Sequence, residues 1–392
     1  MNVDQALGET FNLGASAFFS RSKQDDYSSG LLFDLTRMPA NVDLTALNAC
    51  PATGTCQAWQ EPRLLADGTQ DPNDVWLSAD PFNEESPNPL YESLNIDDVT
   101  YRGRFLGSAN LQFRPLDWLS MTANISYDRL DFKNQYYRFK GYKSINPSTS
   151  TNLGGMSRRH ELTEAFNASA DLTLSYTFGD LETRTQVRYL TEWEDQEWTQ
   201  AGGSRFAVSD VPTIQTLDTD RVTATSGLQA IRSDGYFGIT SLVYKDRYIL
   251  DGLVRNDGSS LFGPDERRQW YYRVAGAYRV TEDFVLPSID ELKFRFAYGT
   301  AGGRPRFSAQ YETYSVAGGK ISPVTLGNRQ LRPEKSAELE AGFDMMAFGR
   351  VGLTVNYAKT VTEDQILQVP LQAYAGFANQ WRNAGTLESQ TW

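Results

Sequence analysis

The residues best equipped for chemistry are few. One histidine, His160, precedes Glu161, and an imidazole beside a carboxylate could act as a general base. A zinc site would need more Cys or His ligands, and no second His follows at metal spacing. The carboxylate pairs Glu84-Glu85 and Asp97-Asp98 lie in an acidic stretch, and their spacing does not set them apart from solvated charge. No GxSxG elbow, Walker loop or GxGxxG fingerprint occurs. The expectation is a protein that is not an enzyme and carries no metal or cofactor.

Cys50 and Cys56 flank a short Pro- and Gly-containing stretch. They fit a small disulfide-closed loop formed in an oxidising compartment, with two free thiols as the alternative.

The elements that would position any site must be strands. The chain has 392 residues, of which 22% are charged and 40% hydrophobic. Its mean hydropathy is -0.47, and no apolar run is long enough for a transmembrane helix. A membrane barrel is still compatible, because only the outward positions of its strands need be apolar. The net charge of -12 argues against a nucleic-acid partner, since an acidic surface repels phosphate.

Period two dominates. Phe166, Ala168, Ala170, Leu172, Leu174, Tyr176 and Phe178 fall on one face, with Asn167, Ser169, Asp171, Thr173, Ser175 and Thr177 on the other. Gly179-Asp180 then reads as a two-residue hairpin turn, and alternation resumes through Leu181, Thr183, Thr185, Val187 and Tyr189. Similar segments run from Phe105 to Tyr127, Leu292 to Tyr298 and Ala337 to Tyr357. The polar faces carry full charges at Asp171, Glu182, Arg184, Arg188, Glu338, Glu340 and Asp344, as a wet lumen or the solvent face of a sandwich would. Short turns at 179–180, 245–247 and 348–350 alternate with long polar stretches, the asymmetry of an outer-membrane barrel. Aromatics near strand ends, among them Phe113, Trp118, Phe178 and Trp270, fit interfacial girdles. The segment 37–100 reads as a long, irregular, acidic extracellular loop whose one basic residue after Val42 is Arg63. Its acidity suits a solvated surface or a ligand filter. Gly202-Gly203, Gly302-Gly303 and Gly318-Gly319 read as turns.

From about Gly235 onward, the chain resembles the SusC/RagA family of TonB-linked outer-membrane proteins. The resemblance is carried by Asp246-Arg247-Tyr248, then Arg255, Asp257-Gly258-Ser259-Ser260, Phe262 and Gly263. Leu292-Lys293-Phe294-Arg295 with Tyr298-Gly299, Leu331-Arg332-Pro333-Glu334, Thr362-Glu363-Asp364-Gln365-Ile366 and Asn383-Ala384-Gly385 follow in the family's order.

The resemblance implies an all-β, antiparallel transmembrane β-barrel, part of a 22-stranded TonB-dependent receptor barrel whose lumen is plugged. Residues 1–392 would form one partial barrel domain of about fourteen strands. The plug, the leader and the last strands would lie on a longer polypeptide. The family implies import of a bulky nutrient such as an oligosaccharide or peptide. Its implied partners are the TonB complex acting through the plug, a SusD-like surface lipoprotein, and outer-membrane lipid. Luminal Glu182, Arg184 and Arg188, and Trp193 and Trp198 taken as loop aromatics, are the candidate ligand contacts. A passive porin, an outer-membrane hydrolase using His160 and a surface adhesin are the alternatives.

Overall fold

A computed structural model describes residues 1–26, 31–38, 42–77, 88–144, 152–263, 266–317 and 319–392. Alternating apolar and polar residues form strands here because opposite faces of the sheet meet opposite solvents. One antiparallel sheet contains thirteen strands, close to the fourteen expected. Its first six are β1 (Asn2–Leu7), β2 (Phe11–Asp25), β3 (Ile96–Leu116), β4 (Leu119–Arg138), β5 (Gly155–Phe178) and β6 (Leu181–Ser204). The sheet continues with β7 (Thr223–Tyr244), β8 (Tyr248–Ser259), β9 (Arg268–Arg279) and β10 (Ile289–Gly303). Between β10 and the next strand of this sheet lie β11 (Thr313–Ala317) and β12 (Lys320–Leu326). The sheet ends with β13 (Glu334–Ala347), β14 (Val351–Glu363) and, beyond β15 (Ile366–Pro370) and β16 (Asn379–Asn383), β17 (Leu387–Thr391). Every neighbour within this sheet is the next of its strands in chain order, the meander of an up-and-down barrel. The sheet is open, with β1 and β17 at its edges. β11, β12, β16 and β15 make a separate four-stranded sheet.

At one end the hairpins are tight. Gly179 takes φ 60° beside Asp180, and Phe178 pairs Leu181 across the turn, as the sequence leads one to expect. Lys245 and Asp246 both adopt positive φ before Arg247, and Phe348 and Gly349 do the same before Arg350. The long connections after β2, β4, β6, β10 and β14 leave the other end, so the two rims differ in kind. The separation is not strictly one of length: the connection 280–288 at the tight end is a longer one with its own 3-10 turn at Val280–Glu282.

Two glycine pairs differ from expectation. Gly202-Gly203 lies within β6 and Gly302-Gly303 within β10. A Cβ on Gly202 would sit 2.6 Å from the Met156 carbonyl, and one on Gly203 2.6 Å from that of Arg221. Close backbone approach, not a turn, is what requires glycine there. Gly319 does turn, with φ 74°, while Gly318 lies outside the described residues.

The acidic segment after β2 is more ordered than an irregular loop. It holds α1 (Leu31–Arg37), α2 (Pro89–Asn95) and the bridges Leu47–Val75 and Leu64–Gln70. α2 starts where it does because the Asn88 side chain accepts from Leu90 N at 3.0 Å and Pro89 fits the first turn. Cys50 and Cys56 are disulfide-bonded in this segment.

Candidate functional site on the luminal wall and outer rim

The register divides every long strand into two faces. Thr122, Asp171, Arg188, Phe237 and Arg255 form one row across β4 to β8. Alternate residues place Asn124, Ser169, Gln186 and Arg184 on that same face, and the rows on β10, β13 and β14 add Lys293, Arg295, Glu338, Glu340, Asp344 and Asn356. All seven charges singled out in the sequence therefore share one side of the sheet. The opposite side exposes Met121 (41%), Ile125 (51%), Val187 (55%), Val254 (48%), Phe294 (50%) and Val355 (43%). Such a face is stable only against lipid, so the charged face is the lumen. No helix among the described residues is long and apolar enough to cross a membrane.

Polar partners cross the strands of the luminal wall. Asn110 donates to Asn124 Oδ1 at 2.5 Å, and Asn124 to Ser169 Oγ at 3.3 Å. Asp171, only 7% exposed, accepts from Arg188 and, at 2.8 Å, from Gln186. Arg104 pairs with Asp128 at 2.6 Å and Arg295 with Asp344 at 2.9 Å. A group of small side chains, Ala275, Ala277, Ala297, Gly342 and Ala358, lines a recess of about 490 Å³ beside Lys293, Arg295 and Glu340.

Arg184 and Glu182 are exposed on this wall near the tight turns and have no ion-pair partner among the described residues. Arg188, by contrast, is held by Asp171. Trp193 and Trp198 lie in β6, not in a loop, because the strand continues to Ser204. They point to opposite sides. Trp198 shares the luminal parity and is capped by Arg159, whose guanidinium carbon is 4.9 Å from the ring centroid. Trp193 faces outward with Val187 and stacks on Phe166, ring centroids 5.7 Å apart. Loop placement was read from sequence because Glu192, Glu194 and Asp195 obscure the alternation.

Outward aromatics gather at two levels. Tyr127 with Trp193, Tyr189 with Tyr236 and Tyr272 with Tyr298 mark one level; Phe11 with Phe113, Tyr176 with Phe178 and Tyr248 with Tyr278 mark the other. These are the two interfacial belts of a membrane barrel. At the tight-turn rim, Asp283 accepts from Tyr248 at 2.7 Å, from Tyr278 at 3.0 Å and from Arg247. Those hydrogen bonds, that from Tyr248 first, hold its carboxyl below the usual range. Sequence reasoning identified Arg247 and Tyr248 as turn residues but missed Asp283 as the group they share.

At the opposite rim a small core of Val75, Leu77 and Tyr91 is packed by Trp59, Leu90 and Tyr142. Asp74, fully buried, accepts from Lys143 Nζ at 2.8 Å on both oxygens, from Asn48 at 3.0 Å and from Arg63 N at 2.6 Å. Arg63 donates to Asp71 at 2.8 Å and to Asn95 at 2.6 Å. The one base between Val42 and Thr100 thus ties the segment together. Burial pushes the Tyr91 phenol up to about 12. Around Arg63, Lys140 and Lys143 lies a cleft of about 740 Å³.

Glu84-Glu85 lies outside the described residues. Asp97 and Asp98 fall on opposite faces at the start of β3, and Asp98 accepts from Asn134 at 2.7 Å. No group of His, Cys, Asp and Glu among the described residues could hold a metal ion. His160 stands within β5 on the outward face, 3.4 Å from Asp131.

A one-sided apolar meander with two aromatic belts, a charged lumen and structured connections at one rim defines an outer-membrane β-barrel wall. The chain belongs to the TonB-dependent receptor-like β-barrel family, whose model matches residues 59–392. It is 26% identical over 324 residues to TonB-dependent receptor P26 of Formosa agariphila, covering 78% of this chain and 32% of that protein. It is 25% identical over 408 residues to TonB-dependent receptor P3 of the same organism, covering 99% and 38%. The chain therefore spans about a third of the length of these curated relatives. Among solved structures, the RagAB peptide transporter superposes with a TM-score of 0.77 at 17% identity, over 99% of this chain and 42% of that one. The outer membrane transporter YddB from Escherichia coli gives 0.58 at 11% identity, over 99% and 43%. The SusC/RagA resemblance is thus matched by fold, and the chain is an outer-membrane protein.

Proposed function

We propose that the protein containing this chain imports a bulky nutrient, such as an oligosaccharide or a peptide, across the outer membrane. Energy comes from the TonB complex acting on a plug held in the lumen, and a SusD-like surface lipoprotein covers the outer rim. The observation that carries this reading is the mixed luminal wall, where arginines and carboxylates line one face of the strands without a hydrophobic core. Such a wall offers hydrogen bonds to a polar cargo and to a polar plug, and favours neither a buried catalytic pocket nor a lipid ligand. Arg184, Glu182 and Trp198 are the residues on this wall proposed to contact cargo. Arg188 acts on Asp171, and Trp193 belongs to the outer belt. The similarity to the TonB-dependent receptors of Formosa agariphila supports the energy source, and the shared fold with the RagAB peptide transporter supports the cargo class.

The test compares uptake of labelled oligosaccharides and peptides by cells with and without the gene, each in a background with and without TonB. Uptake lost in both deletions is the expected result. Uptake that persists without TonB, together with ion conduction by the purified protein in planar bilayers, would replace this reading with a passive porin.

A further inference from the structure

His160 lies in a row that crosses five strands. Tyr101 pairs Lys133, Lys133 pairs His160, His160 pairs Thr199 and Thr199 pairs Ser226. The next row away from the membrane aligns Gln135, Arg158, Ala201 and Ala224. Both rows have outward parity, and they line an open groove of about 720 Å³. Lys133, Arg158 and His160 are exposed in it, and Tyr101 is 39% exposed at its end. Asp131 faces this groove from the row below, 3.3 Å from Lys133 and 3.4 Å from His160, and Glu197 shares that lower row. Arg158 spends one donor on the Pro212 carbonyl at 3.3 Å.

Height selects the occupant. Lys133 and His160 each stand six residues beyond the outer aromatic belt at Tyr127 and Phe166. At ~3.3 Å per residue and a strand tilt of ~40°, that is roughly 15 Å above the belt. A phospholipid headgroup layer is only about 5–8 Å deep. The groove therefore lies level with the sugars of a taller lipid. Its chemistry is an aromatic ring, small Ala and Ser side chains that leave room, the cations Lys133 and Arg158, and the His160 imidazole as a further hydrogen-bonding group, with Asp131 and Glu197 in the row below. Flat sugar faces stack on such a ring, and phosphate or carboxylate groups take charge-assisted hydrogen bonds from Lys and Arg.

We propose that this groove holds the anionic saccharide headgroup of a glycolipid in the outer leaflet, seating the barrel in its membrane. Tyr101 stacks on the sugar while Lys133, Arg158 and His160 bind its acidic substituents. The inference rests on the outer-membrane location and not on the cargo, so uptake and lipid binding fail independently.

The experiment purifies the full-length protein from its own outer membrane and measures bound anionic glycolipid per protein by mass spectrometry. The triple variant Lys133→Ala, Arg158→Ala, His160→Ala is compared with Lys335→Ala, Lys359→Ala, which removes outward cations from β13 and β14, strands remote from the groove. Loss of one charge-assisted contact weakens binding about tenfold, so the triple variant should carry at least tenfold less glycolipid and the control pair the native amount. Equal glycolipid in the triple variant and the native protein would overturn the proposal, as would an equal loss in the control pair. If the triple variant fails to assemble, the milder pair Arg158→Gln, His160→Gln reads the same ratio.

Discussion

Lys143 places its ammonium 2.8 Å from both oxygens of Asp74, a carboxylate wholly removed from solvent. The two residues come from different connections at the outer rim, so one ion pair fastens the acidic segment to the connection after β4. Breaking such a pair from one side strands a buried charge and costs about 3–5 kcal/mol. Lys143→Met is therefore expected to open the 42–77 region to limited proteolysis on intact cells, while the barrel keeps its heat-modifiable migration. Asp74→Asn should open the same region, because it leaves the Lys143 ammonium, 11% exposed, without its anion and turns an amide NH2 towards donors.

Tyr91 gives the same region a pH limit. Its folded pKa of about 12 lies above the ordinary tyrosine value of 10.0, chiefly through burial. The stability it contributes is complete below pH 10 and is lost as pH rises towards 12, where the unfolded phenol ionises and the buried one resists. The difference corresponds to about 3 kcal/mol. Hydrogen exchange of the rim should accelerate over pH 10 to 12 in the native protein and over a smaller range in Tyr91→Phe.

The luminal and outward faces of β6 should respond oppositely to one substitution. Val187→Arg places a charge in the lipid-facing band and is expected to cost about 2–4 kcal/mol near the bilayer midplane. Glu182→Arg, on the wet face of the same strand and exposed there, should be nearly neutral. Chemical unfolding of the full-length barrel in vesicles measures both.

Arg184 and Arg188 separate cargo contact from wall structure. Arg188→Ala leaves Asp171 without its cation at 7% exposure and is expected to destabilise the wall by about 1–3 kcal/mol. Arg184→Ala should leave unfolding unchanged and lower uptake. A loss of stability in Arg184→Ala equal to that in Arg188→Ala would refute the separation.

At the tight-turn rim, Tyr248 and Tyr278 share one acceptor, Asp283. The double variant Tyr248→Phe, Tyr278→Phe should therefore lower the unfolding temperature by other than the sum of the single variants. The depressed Asp283 carboxyl means that its contribution holds above the ordinary carboxylate range and fades only as pH falls below it.

Period-two alternation from Phe166 to Tyr189 was enough to set β5, β6, the Gly179 turn and the face to which each residue belongs. Side-chain parity is a local property of an extended chain, so it is legible without any partner strand. The same locality explains why Asp171, Arg184 and Glu340 could be assigned to one kind of face, and why the motif residues near Asp246 fixed the family. What the sequence could not show is which residues meet across strands or loops. That Arg188 is spent on Asp171 while Arg184 has no ion-pair partner among the described residues, that Lys143 finds Asp74, and that Asp283 gathers Arg247 and Tyr248 are consequences of register and loop closure. Trp193 and Trp198 differ in role by a single parity step within a charged run where alternation is weak. Local pattern determined the strands and their faces; only the tertiary pairing decided the partners, because contacts between residues tens of positions apart are set by the register that the whole sheet adopts.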